Sequence, residues 1–232
     1  MKVWADMHMH SCLSPCADDD MTPQNIVNMA LLKGLDMIAV TDHNAADNLP
    51  AILKVAEGTA LTVVPGMELT TKEEVHVLGY FSSLEQVQAC AVHIAAHLQK
   101  LPNNPRFFGR QLIMDENDQV TGELPDLLLQ ATDLSVEEMF ALVRDCGGVP
   151  VPAHIDRPSH GILALLGFIN PELHVACAEI SRNAVEVALP DPHMYSITSS
   201  DAHQLGDIFE QVQALELSAC TPAAFLEYVN RV

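Results

Sequence analysis

Ala5-Asp6-Met7-His8-Met9-His10 decides the fold. The residues before and into it, Lys2-Val3-Trp4-Ala5, are apolar enough for a buried strand, and Asp6, His8 and His10 alternate along its end. A strand sends residues i, i+2 and i+4 to one face, so three polar side chains can converge on one point. Imidazoles with a carboxylate suit zinc, manganese or iron. One H-x-H could equally be a polar strand end with satisfied core histidines. The sequence downstream decides between the two.

Working outward, strands and helices alternate. Strand Lys2–Met9 leads through a loop (His10–Met21) to a helix with Thr22 as N-cap, Pro23 at the first position and Gly34 past its end. Asp36–Thr41 reads as a strand ending in Asp42-His43-Asn44, then a helix over about 46–57, then a strand Leu61–Pro65 running into Gly66-Met67-Glu68. Val75–Tyr80 alternates as a fourth strand, and Leu84–Gln99 as a long helix. About 100–133 is a short hairpin-like insertion, Pro- and Asn-rich at first. Ser135-Val136-Glu137-Glu138 is a capping box, opening a helix that ends at Gly147. Strands Val149–Ala153, Ala176–Ser181, Ser196–Ser200 and one near Ala214–Ser218 follow, with a last helix capped by Thr221 and Pro222.

This alternation predicts an α/β chain with a parallel sheet. About seven β-α units favour a TIM-like barrel over an open sheet, as a single domain over 1–232. Asp6, His8, His10, His43, Glu68, His154, Asp201 and His203 all fall at the C-terminal ends of predicted strands. In a β/α barrel those ends share one face, where active sites lie.

Composition narrows the function. The net charge is −20, from 11 Lys+Arg against 31 Asp+Glu. That argues against broad binding to nucleic acid or anionic membrane, which need basic surface. With 5% aromatics, no stacking track for an oligonucleotide stands out. The six cysteines are scattered without a C-x-x-C pair, Lys2–Ala5 runs directly into an acidic residue, and no apolar run reaches membrane-spanning length. A reduced, soluble, cytoplasmic protein is expected.

Asp6-x-His8-x-His10, Thr41-Asp42-His43, Gly66-Met67-Glu68, Glu74-Val75-His76, Pro152-Ala153-His154 and Ser200-Asp201-Ala202-His203 form an ordered series. It resembles the PHP (polymerase and histidinol phosphatase) family from residue 3 to about 206. The resemblance implies a distorted (β/α)7 barrel and two to three divalent metals (Zn, Mn or Fe) hydrolysing phosphoesters. Carried over by motif, His8 and His10 would hold one metal with Glu68 and Asp201. Glu68 would bridge to a second, held by His76 and His154. A third would take His43, His203 and an acidic residue of the first loop, which the family spacing puts at Asp18, with Asp19 and Asp20 adjacent.

The chemistry agrees without the family. Six histidines and four carboxylates at one mouth would be poorly solvated and mutually repulsive without cations. Two cations about 3.5–4 Å apart can hold a bridging water, lower its pKa towards about 7 and clamp attacking and leaving oxygens. Glu68 and Asp201 are the catalytic candidates, with Asp6 orienting a ligand histidine. Arg157 is a candidate phosphate fork, with Arg106 and Arg110 in the insertion as further ones. His93 and His97 lack the glutamate of a zincin helix and weigh as helix surface, as do His160, His174 and His193. Cys12 and Cys16 weigh as loop thiols, and Asn44 as a turn cap. The expected substrate is a small phosphorylated metabolite or nucleotide. An oligonucleotide exonuclease and an amidohydrolase-type metal hydrolase are the alternatives; no lysine sits clearly at a strand end to serve the latter.

Overall fold

Thr22 and Ser135 cap their helices as the sequence requires: each side-chain oxygen accepts an amide three residues on, from Asn25 and Glu138. The computed structural model describes residues 1–231 apart from 183, 185 and 186. Its strands are β1 (Lys2–Asp6), β2 (Met37–Val40), β3 (Thr62–Thr70), β4 (His76–Tyr80), β5 (Leu112–Met114), β6 (Val120–Glu123), β7 (Val149–Pro152), β8 (Cys177–Ser181), β9 (Tyr195–Ser199) and β10 (Ala214–Glu216). The helices are α1 (Pro23–Leu32), α2 (Leu49–Ala56), α3 (Leu84–His97), α4 (Val136–Asp145), α5 (Ile162–Leu166) and α6 (Pro222–Val229).

One curled sheet runs β10-β1-β2-β3-β4-β7. The parallel pair β8–β9 fills the gap between its ends. The Ile155 amide donates to the Glu179 carbonyl on one side, and the His10 amide to the Ala202 carbonyl on the other, both at 2.9 Å. The result is a distorted barrel of β1, β2, β3, β4, β7, β8 and β9, with β10 paired outside the ring. Met37 and Ala39 face the barrel interior with Val3, Val64, Leu78 and Tyr80. Their neighbours Ile38 and Val40 belong to the outer core with α1 and α2 residues such as Ile26 and Ile52. Strands buried on both faces read as near-continuous apolar runs.

The wholly parallel sheet expected from the alternation needs correction. β4 is antiparallel to both β3 and β7. Only Thr71–Val75 joins β3 to β4, closed by the Thr71 amide on the Val75 carbonyl at 2.9 Å. A parallel crossover needs a dozen or more residues, so five enforce a hairpin. β3 also runs on to Thr70, so Glu68 lies inside a strand rather than past its end. β1 stops at Asp6, and Met9 instead bridges to Ala202. Gly66 lets β3 continue: a Cβ there would meet the Thr41 side chain at 2.8 Å and the Gly79 carbonyl at 3.2 Å.

The insertion carries hairpin β5–β6 and is tied to the barrel by buried amides. Asn48 donates to the Leu112 carbonyl and accepts from the Met114 amide; Gln111 spans Leu124, Asp126 and Leu128. Among the described residues no helix is long and apolar enough to cross a membrane.

Candidate metal centre

Glu68 lies at the centre of the barrel mouth because the β3–β4 hairpin lifts it there. It is buried, and its two oxygens face different histidines. Oε2 lies 3.4 Å from His8 Nε2, 3.3 Å from His10 Nε2 and 3.2 Å from His43 Nδ1. Oε1 lies 2.7 Å from His76 Nδ1 and 3.0 Å from His154 Nε2. The antiparallel turn of β4 explains His76: it begins its strand, yet stands at the same end as ligands that finish theirs.

Asp201 Oδ1 completes the first group, 3.3 Å from His8 Nε2 and 3.1 Å from His10 Nε2, while those two nitrogens are 3.3 Å apart. Tetrahedral zinc with bonds of about 2.0–2.1 Å needs donor separations of about 3.3–3.4 Å. The donors therefore already outline such a polyhedron. Two further groups have donor atoms within 4.8 Å of one another: His10 with His43 and His203, and His43 with Glu68 and His76. Among the described residues the buried Nδ1 of His43 has no hydrogen-bond partner, as expected of a nitrogen aimed at a cation. The loop residue Asp18 is exposed and lies outside these groups, although its amide bonds the His203 carbonyl at 2.9 Å.

The electrostatics show how strongly the carboxylates act. Burial disfavours charge on His8, but Glu179, Asp201 and Glu68 overcome it and push the imidazole well above its usual range. His10, also buried, is pushed up to about 9 by Asp201 and Glu68. Burial would raise Glu68 and Asp201, yet the surrounding histidines hold both below the ordinary carboxylate range. His43, His76 and His203 go down, burial being the largest cause in each.

Two supports were not foreseen. Glu179, buried on β8, accepts the His8 Nδ1–H at 3.0–3.1 Å and the His154 amide at 3.0 Å. It fixes the His8 tautomer so that Nε2 faces the cluster. The only sequence signal was a lone acid in an apolar strand. Asp42 accepts from the Ser11 and Ser14 hydroxyls at 2.6 and 2.7 Å, and Ser14 Oγ lies 3.0 Å from His10 Nδ1. That chain orients His10 in the same way.

Asp6 takes another role than the one expected. Its carboxylate touches no ligand histidine; it accepts the Ser200 and Phe209 amides, both at 2.9 Å. Because β1 ends at Asp6, the alternation that would bring it beside His8 and His10 is broken. Burial raises its pKa, against the pull of Ser200 and Phe209. Asp6 pins the loop that delivers Asp201.

His160 also needs correction. Its ring stacks on His76 with centroids 4.2 Å apart, and its carbonyl accepts the His76 amide. It lines a mouth cavity of about 90 Å³ with His43, Glu68, His76, His154, Arg157, Ser159, Asp201 and His203. Arg157 reaches the same cavity, its Nη1 2.6 Å from Asp201 Oδ2. Arg106 and Arg110 do not line it; both are exposed on the insertion, and Arg110 pairs with Glu123 at 3.2 Å. His97 pairs with Asp133 on the surface, while His174 and His193 border a separate cavity. Cys12 is buried against Leu112 and Asn48, and burial helps push its thiol up to about 12. Asn44 bonds Leu128, Gln130 and the Thr70 amide.

Asn44, Glu74, His154, His160 and Asp201 all have positive φ. Such backbone costs about 1–3 kcal/mol each for a non-glycine residue and persists where surroundings impose it. Its concentration here marks a site built against local preference.

The PHP domain model matches residues 6–146, which include His8, His10, His43, Glu68 and His76. The chain belongs to the PHP domain family, whose members are metal-dependent hydrolases. It is similar to the 5'-3' exoribonuclease Rnm of Escherichia coli, 22% identical over 227 residues, 93% of this chain and 75% of that protein. A shorter match to Rnm of Salmonella typhimurium is 32% identical over 79 residues, 32% of this chain and 26% of the relative. Among solved structures, the lesion-specific endonuclease PfuEndoQ from Pyrococcus furiosus superposes with a TM-score of 0.73 at 18% identity. All of this chain corresponds to 56% of that one, so the chain spans about half its length. At that identity the likeness is one of fold: the distorted TIM-like barrel.

Proposed function

We propose that this chain hydrolyses phosphate esters of small phosphorylated substrates, using two to three divalent cations. His8, His10, Glu68 and Asp201 would hold one, His76 and His154 with Glu68 a second, and His43 with His203 a third, with Asp18 the loop acid that the family spacing suggests. When bound, these cations would activate water and neutralise charge on the phosphoryl oxygens. The observation that carries the reading is Glu68, whose two buried oxygens face separate sets of histidines. Glu179 and Ser14 hold His8 and His10 in place; Arg157 at the rim, its side chain 36% exposed, meets a substrate oxygen from the solvent side. The cavity, about 90 Å³, suits a phosphoryl group with the rest of its substrate outside.

A second reading, exonucleolytic attack on short oligonucleotides, is favoured by the similarity to Rnm, which covers 93% of this chain. The net charge of −20 weighs against long polyanions. The deciding experiment measures metal content of the purified protein. It then assays phosphomonoesters, nucleotides and short oligonucleotides before and after chelation. Turnover that survives in protein verified metal-free would overturn the proposal.

A further inference from the structure

The insertion opens with Pro102-Asn103-Asn104-Pro105-Arg106-Phe107-Phe108-Gly109-Arg110. Its own hydrogen bonds make it a fixed shelf. The Asn104 carbonyl accepts the Phe107 and Phe108 amides at 2.9 and 3.0 Å, and the Asn103 side chain donates to the Gly109 carbonyl at 2.9 Å. The Asn103 amide ties the shelf to Pro125 at 2.8 Å. On it Phe107 is 78% exposed. Its ring meets Phe108 edge-on, centroids 4.7 Å apart at 83°.

A single exposed apolar side chain is ordinary; its surroundings are what matter. Arg106 and Arg110 flank the two rings, and Arg106 forms no ion pair among the described residues, while Arg110 pairs with Glu123. In a chain with 11 Lys+Arg and a net charge of −20, two arginines and two phenylalanines fall within five residues. An open aromatic face beside a cation is the composition that stacks a base and meets its phosphate.

The shelf also stands at the right place. Gly109 has φ +103°, and a Cβ there would come within 2.0 Å of the Pro15 carbonyl oxygen, so the shelf is packed directly on the first loop. Pro15 follows Ser14, whose hydroxyl lies 3.0 Å from His10 Nδ1. The Leu112 amide fixes the same loop through the Cys12 carbonyl at 2.9 Å. Shelf and metal cluster thus contact the same loop, the shelf through Pro15 and the cluster through Ser14.

We propose that Phe107, backed by Phe108 and with Arg106 beside it, is a nucleobase-stacking subsite for the nucleotide whose phosphate ester enters the cluster. This rests on the phosphate-ester reading above and names its substrate class. A mononucleotide and the end of an oligonucleotide share the required chemistry, one base and one phosphate. Stacking accepts any base, since every base has a π-face.

The test uses the metal-loaded chain, with Phe107→Ala, Phe107→Trp and Arg106→Gln compared against wild type. Substrates are p-nitrophenyl phosphate, which has no base, a nucleoside monophosphate and a pentanucleotide. Phe107→Ala should lower kcat/KM for a base-bearing substrate relative to p-nitrophenyl phosphate by about tenfold or more, through KM, and Phe107→Trp should restore it. A drop confined to the pentanucleotide, or shared by the mononucleotide, supports the subsite and shows which source fills it. An unchanged ratio for both overturns it. So does a wild-type dimer that Phe107→Ala converts to monomer, because a second copy would then cover the shelf. Anisotropy of a fluorescent pentanucleotide, which needs no turnover, separates the two claims. If all substrates are inert the phosphate-ester reading falls. The shelf then stands or falls on whether Phe107→Ala weakens that binding about tenfold.

Discussion

Glu179→Gln keeps the size and shape of a buried side chain and changes only what its oxygens can do. The carboxylate accepts twice in this structure, from His8 Nδ1–H and from the His154 amide, at 3.0–3.1 Å. His8 Nδ1 lies 3.1 Å from one oxygen and 3.0 Å from the other, which also takes the His154 amide, so a glutamine sets its NH2 group either against the His8 Nδ1–H or against both donors. At least one hydrogen bond to a charged group is therefore weakened to a neutral one, with a donor facing a donor. Such a bond is worth about 1.5–3 kcal/mol. The His8 ring would also lose the partner that keeps Nε2 towards the cluster, and supports of this kind change metal affinity by about 10–100-fold. The assay is competition for zinc or manganese against a chelator of known affinity, with circular dichroism to verify the fold. Metal affinity should fall by about that factor, with activity recovering at high metal concentration. A folded Glu179→Gln protein of wild-type affinity would refute the role given to Glu179.

Three further outcomes are expected. Glu68→Ala should lose metal and turnover together, since both histidine groups converge on it; full metal content by elemental analysis would exclude its bridging place. Arg157→Ala should lower kcat/KM by about ten- to a hundredfold, the worth of one charge-assisted contact, with Arg157→Lys recovering part. Because Arg157 also holds Asp201 Oδ2 at 2.6 Å, metal affinity should be read in parallel; an unchanged kcat/KM would assign Arg157 to the surface. Metal uptake at pH 7 should release at least one proton, because metal-free His10 stays protonated up to about pH 9 and a ligand must be neutral. Affinity should accordingly rise from pH 7 to 9. By the same linkage, the His10 contribution to stability of the metal-free fold is complete below its usual 6.5 and fades as pH rises through about 9. Calorimetry in two buffers of different ionisation enthalpy would reveal the proton; none released would sink this account.

The barrel was legible because its strands carry local signals: apolar runs, Thr22-Pro23 and Ser135–Glu138 caps, and polar residues where strands end. The direction of β4 is set by chain length rather than residue type, since the five residues before it are too few for a crossover. Residues such as Glu68 and His76 could be placed by motif because each is close in sequence to a strand end. Glu179 and His160 are tied to the site by partners 171 and 86 residues away, His8 and Glu74, which no local pattern reveals. The 5% of aromatics is an average over the chain, and it includes the adjacent pair Phe107 and Phe108 on the insertion.

The buried acids share one logic, and it explains why the mouth tolerates its strained backbone. Glu68 divides its oxygens between two histidine groups, and Asp201 divides its own between the cluster and Arg157. Glu179 joins His8, just past the first strand, to His154 after the seventh. Asp42 joins Ser11 and Ser14 of the first loop, and Asp6 joins the Ser200 and Phe209 amides. Each acid therefore ties together segments that lie far apart in sequence, and does so with two acceptors. An aliphatic core could hold the barrel, but it could not fix directions at the level a cluster of donors about 3.3 Å apart demands. Nor could amides, because one of their two polar atoms donates where Glu68, Asp201, Asp42 and Asp6 accept with both oxygens. Burying these carboxylates is costly alone, and the donors aimed at them offset that cost. Holding Asp201 and His154 in positive-φ backbone becomes affordable in the same way, since releasing either would break a bond at the far side of the mouth. Precision at the site and strain in its loops thus have one origin in the paired use of each buried carboxylate.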